Sequence, residues 1–157
     1  MSIQMNNPRA TRPVVTIELV EVFSDIKEYI TPELIDLISD DSASNILMFT
    51  YPVVWVKFKV NGKLCALFML KPLNNITVEI HPVIKSEHAK YAVQCVATLV
   101  DWLKDCGKTS VTCAFPNRGT ATKKLAKLCG FTQVGTLLNS WLKRGKYYDI
   151  LIYQKEV

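Results

Sequence analysis

VVWVKFKVNGKLCALFMLKPLNNITVEIHPVI, residues 53–84, is the stretch whose reading decides the fold. Two apolar runs rich in β-formers, 53–60 and 63–70, flank Asn61-Gly62. That dipeptide suits a type I′ hairpin turn, in which both central residues take positive φ. Leu73-Asn74-Asn75 supplies a second turn, and residues 75–84 a third strand ending near Pro82. Three strands in quick succession are expected to pair antiparallel.

Downstream the hydrophobic period changes. Ala89, Ala92, Val93, Val96, Leu99, Val100 and Leu103 recur at three and four, which predicts an amphipathic helix over 86–106 closed by Gly107. Residues 109–116 return to strand and stop at Pro116. A second amphipathic helix is expected over 118–128, with Ala121, Leu125 and Leu128 inward and Lys123, Lys124 and Lys127 on one outer face. Residues 132–142 and 147–156 read as two last strands around the turn 143–146. Upstream, 14–23 reads as a first strand, and Thr31-Pro32-Glu33 opens a short helix as N-cap, first-turn proline and early acid.

The order is β-α-βββ-α-β-α-ββ. The passage strand–helix–strand over 75–116 requires a right-handed crossover and makes those two strands parallel. The class is therefore α/β (α+β mixed), a mostly antiparallel sheet of six to seven strands flanked by helices. Residues 1–13 read as a flexible arm and 14–157 as one domain.

Composition narrows the class. Of 157 residues, 49% are apolar and 21% charged, which excludes a disordered or low-complexity chain. Apolar runs are too short to span a bilayer and the first residues lack a secretory apolar core, so a cytoplasmic protein with no membrane partner is expected. The five cysteines include no CxxC pair and only His81 and His88 accompany them, so neither a metal site nor a disulfide framework is expected. Net charge is +5, but residues 104–157 hold 10 Lys+Arg against 3 Asp+Glu. Such asymmetry suits an anionic partner: a nucleotide-like cofactor, a nucleic acid or an acidic protein.

Three phrases in this order, VEIHPVI (78–84), TSVTCAFP (109–116) and NRGTATKKLAKLCGF (117–131), resemble the GCN5-related N-acetyltransferase (GNAT) superfamily. The likeness covers about residues 14–155, and its most specific elements are the strand ending in a Val/Ile-x-Pro-like phrase and the Gly-Phe dipeptide after the last helix. It implies an acyl-CoA-dependent N-acetyltransferase that moves an acetyl group from acetyl-CoA to a primary amine of a protein or small molecule. The carrier would then bind along Ile80, His81, Pro82, Val83 and Ile84, with its phosphates over Lys85, Ser86, His88, Ala89 and Lys90. Asn117 stands near the family's usual helix-start Asn, two residues early.

Departures from the family pattern are specific. The usual loop Arg/Gln-x-x-Gly-x-Gly/Ala is here Lys-Ser-Glu-His-Ala-Lys (85–90), without the glycines that let phosphate oxygens approach the backbone. The Tyr that many relatives use to protonate the leaving thiolate is replaced by Ala126, leaving Tyr147, Tyr148 or Ser140 as candidates. Glu79 is the first candidate for general base and His81 the second; alternation puts both on one strand face. The same features fit an alternative, a catalytically degenerate GNAT-fold binding or assembly protein acting through its basic C-terminal third. The phrase EIHP and the closing Asp-Ile-Leu-Ile-Tyr resemble phage-encoded head-assembly members of the superfamily, for which the host cytoplasm is the expected location.

Overall fold

The computed structural model describes residues 13–41 and 53–157. The expected arm, apart from Pro13, lies outside them. Strands β1 (Val15–Leu19), β2 (Val54–Val60), β3 (Lys63–Pro72), β4 (Thr77–Val83), β5 (Ser110–Pro116), β6 (Thr132–Lys143) and β7 (Lys146–Glu156) form one sheet in the order β1-β2-β3-β4-β5-β7-β6. Helices α1 (Pro32–Ile38), α2 (Ala92–Asp105) and α3 (Ala121–Leu128) complete the expected order. Among the described residues, only β4 and β5 pair parallel, across the α2 crossover.

The turns form as their chemistry dictates. Asn61 and Gly62 both have positive φ, 51° and 82°, and the hairpin after β6 repeats this with Arg144 and Gly145, 49° and 74°. Thr31 caps α1 by accepting the N–H of Leu34, with Pro32 in the first turn.

Register assigns the two faces of the sheet. One carries Val56, Phe58, Phe68, Leu70, Val78, Ile80, Val111, Leu151 and Tyr153, packed against Cys95, Val96, Leu99, Val100 and Leu103 of α2. The other carries Leu67 and Val83 against Ile26, Tyr29 and Leu34 from the segment around α1. β3 serves both faces by alternation, Phe68 and Leu70 on one and Leu67 on the other, and its pairing with β2 shifts between Phe58 and Lys59, where Cys65 is extra.

Several expectations are corrected. β1 ends at Leu19, and the chain turns through a 3-10 helix at Phe23–Asp25. The predicted helix over 86–106 begins as a 3-10 turn, Ser86–Tyr91, and becomes α-helical only at Ala92. In α3, Ala126 is the buried residue, while Leu128 is 65% exposed and Ala121 is exposed as well. The small Ala side chain lets this short helix approach the core, and that rotation carries Leu128 to solvent. No helix among the described residues is long and apolar enough to cross a membrane.

Candidate functional site

β4 and β5 pair only at Thr77–Ser110, Val78–Val111 and Glu79–Thr112. Both strands then continue, β4 to Val83 on β3 and β5 to Pro116 on β7, without pairing each other. The sheet thus splays at its centre. Residues 80–83 and 113–116 face each other across the gap with no ladder between them. Pro82, which has no N–H to give, is tolerated in a central strand at this broken ladder.

The head of the splay is polar. Glu79 and His81 share a face, as alternation requires, and Glu79 Oε1 lies 2.5 Å from His81 Nε2. This hydrogen bond holds the Glu79 carboxyl below the usual carboxylate range against the opposing effect of burial; Lys71, its cross-strand partner on β3, adds to the lowering. Thr112 stands on the same rung, and its buried Oγ1 has no hydrogen-bond partner. Beside it, burial and then the Glu79 charge push the Cys113 thiol up to about 12, which keeps it protonated.

The loop after β4 is organised from beneath by Tyr29. Its hydroxyl donates to Cys65 O at 2.7 Å, and the Lys85 N–H donates to it at 3.0 Å. His88 Nδ1 lies 3.2 Å away, with the imidazole stacked on the phenol at 5.9 Å. Since the single hydroxyl proton goes to Cys65 O, His88 Nδ1 is the donor of that contact. Burial pushes the Tyr29 hydroxyl up to about 12. His88 is only 8% exposed and turned inward, and its N–H is taken by Lys85 O at 2.9 Å. The Lys85 ammonium sits over the Tyr29 ring and that of Lys90 over Tyr91.

On the opposite wall, Asn117 accepts from the Lys123 ammonium through Oδ1 at 2.8 Å, and its own N–H is bonded to Asp149 O. Tyr147 is 62% exposed at the β6–β7 hairpin, and alternation from Gln154, the partner of Thr112, places it on the face opposite Glu79 and His81. Ser140, exposed, donates to Leu138 O. The structure therefore brings Glu79, His81 and the 80–85 segment together, and leaves Tyr147 and Ser140 apart from them.

Two groups were invisible to pattern reading. Arg118, in the turn between β5 and α3, lies over the rings of Trp141 and Tyr148 at 5.0 and 5.4 Å, on the His81 face. Lys143 is buried at 5% exposure, with its ammonium bonded to Asp36 O, to Asp36 Oδ1 at 3.1 Å and to Ser39 O at 3.0 Å, and with Asp41 Oδ1 at 3.4 Å. The Arg144 N–H donates to Asp41 Oδ2 at 2.5 Å and the Leu142 N–H to Asp40 Oδ2 at 2.6 Å. These contacts dock the end of α1 on the last hairpin. No alternation or helical period announces them, because they join residues more than 100 positions apart.

The architecture is that of the GNAT acetyltransferases. Spermidine N-acetyltransferase from Vibrio cholerae, solved with CoA and spermine, superposes with a TM-score of 0.73 at 15% identity over 90% of this chain and 95% of that one. IAA acetyltransferase from Bacillus cereus gives 0.69 at 18% identity, covering 92% and 100%. A GNAT-family acetyltransferase from Streptococcus pneumoniae gives 0.68 at 13%, covering 92% and 100%. At such identities the likeness shows the fold. No curated protein matches the chain. One family profile does, over residues 37–156, and by that match the chain belongs to the family described as a protein of unknown function, DUF2824.

Proposed function

We propose that the chain transfers an acetyl group from acetyl-CoA to a primary amine. The observation that carries this reading is the splay between β4 and β5, which opens beside the Glu79–His81 pair. The unpaired main chain of 80–83 and 113–116 fits a pantetheine arm, which pairs as an added strand does. Pro82 shapes that edge, Ile80 and Ile84 pack against the core below it, and Lys85 and Lys90 supply positive charge beyond it. His88 shapes the loop from beneath. Ser86 and Ala89 belong to the 3-10 turn, and Asn117 borders the opposite wall.

Roles within the pair follow from its geometry. A carboxylate held ionised by its neighbour is a poor proton acceptor and a good orienting group. Glu79 therefore fixes the tautomer with the proton on His81 Nε2, and His81 Nδ1 takes the proton of the attacking amine. Bound acetyl-CoA would supply the thioester carbonyl that the amine attacks. This reverses the order of the two candidates given by sequence.

The test is thermal melting with and without millimolar acetyl-CoA, followed by CoA release with an amine. Saturation at a hundred times Kd stabilises by about 2.7 kcal/mol. His81→Gln and Glu79→Gln are expected to keep the melting shift and to lower turnover by roughly 100-fold and 10-fold. A second reading, a GNAT-fold binding or assembly protein, is favoured by one observation: the Lys85 and His88 N–H groups, near the expected phosphate position, are already bonded within the chain. Absence of any melting shift supports that reading.

A further inference from the structure

We propose that the amine acceptor carries carboxylates and that Arg118, seated on Trp141 and Tyr148, is the group that recognises them; this rests on the acetyl-transfer reading of the Glu79–His81 site. The first argument is charge on the His81 face. The three carboxylates that border the last hairpin are engaged within the chain: Asp36 with Lys143 and Arg144, Asp41 with Lys143 and the Arg144 N–H, Asp40 with the Leu142 N–H. A polycationic acceptor such as the spermine bound by the Vibrio cholerae neighbour finds no unpaired carboxylate among these groups.

Arg118 is in the opposite condition. Its guanidinium rests over two rings, one of them the buried Trp141, which meets Tyr148 edge-on at 6.1 Å. Among the described residues its guanidinium has no hydrogen-bond partner and no carboxylate within ion-pair distance, the Asp36 charge acting on it only from further off, and Arg118 is exposed. Aromatic seating holds the guanidinium in place without using its N–H groups, which remain available for bidentate recognition of a carboxylate. Lys146 over Tyr148 and the exposed Arg144 add positive charge on the same side.

Reach sets the size of the acceptor. Ala114, two residues beyond the Glu79–Thr112 rung, pairs with Ile152, and Tyr148 lies four residues further along β7. At about 3.3 Å per residue, the distance along the strands from the level of His81 to the cradle is on the order of 13 Å. An extended peptide of three or four residues spans that length. The acceptor class is thus an amine with an acidic tail, such as the N-terminus of an acidic peptide.

The test uses the full chain and the tripeptide Gly-Glu-Glu, with Gly-Gln-Gln and spermidine as controls. Binding is read by calorimetry and, with acetyl-CoA, acetylation by CoA release. Gly-Glu-Glu is expected to bind about tenfold more tightly than Gly-Gln-Gln, and its kcat/KM to exceed the neutral peptide's by a similar factor. Arg118→Gln should bring the two peptides within about twofold, with the loss in KM more than in kcat. Arg118→Glu should shift preference to Gly-Lys-Lys, a gain that misfolding cannot produce. Equal binding of the acidic and neutral peptides, a preference for spermidine, no measurable binding of Gly-Glu-Glu, or an unchanged preference in Arg118→Gln overturns the proposal. Peptide binding without any acetyl-CoA melting shift would instead sink the transfer reading and leave Arg118 as a carboxylate site.

Discussion

Among the described residues, 17 are buried in one continuous apolar cluster beneath α2 and α3, and on the opposite face Ile26, Tyr29, Leu34, Leu67 and Val83 are buried together. The second face compensates with polar ties: the Tyr29 hydroxyl, the Lys143 cage and the Glu79–His81 pair. Apolar burial is non-directional and tolerates adjustment, whereas hydrogen-bonded ties fix positions. One face thus provides stability and the other holds chemistry in place.

Breaking the apolar face should have the largest effect. Leu99→Ala, at a fully buried position of α2, is expected to cost about 3 kcal/mol of global stability in urea unfolding. Lys143→Ala should cost less, about 2 kcal/mol, since the exposed Asp36 regains water when its partner is removed. Its signature is local: amide exchange should accelerate in α1 and stay slow in α2. The same experiment sharpens the contrast, because Leu99→Ala should accelerate both.

The smallest effect concerns pH. The Glu79 carboxyl is lowered in the folded chain by its bond to His81. Its contribution is present above the ordinary carboxylate pKa of about 4.3 and is lost as pH falls through the depressed folded value. Wild type should therefore exceed Glu79→Gln in stability near pH 6, by under about 1 kcal/mol given partial exposure, with the gap closing toward pH 3. A gap that persists into strong acid would show that the pair does not titrate as described.

The order of elements was legible because local chemistry and period agree at Asn61-Gly62, at Thr31-Pro32 and along α2. The placement of Glu79 beside His81 was legible for the same reason, since alternation alone puts them together. What escaped is what non-local packing decides. Tyr29 lies between the first strand and the Thr31 cap, where no period marks it, yet it holds the β3 bulge to the loop after β4. The inward turn of His88 and the rotation of α3 onto Ala126 likewise depend on partners far along the chain.

The Lys143 cage has a consequence for how the chain comes into being. Asp36 and its partner are separated by 107 positions. During synthesis α1 can pack Leu34 on Leu67 and Val83 once β3 and β4 are made, but its polar tether must wait until the final hairpin has left the ribosome. The tether of this helix is thus among the last contacts to form, and a chain arrested before residue 143 would keep that flank of the sheet without it.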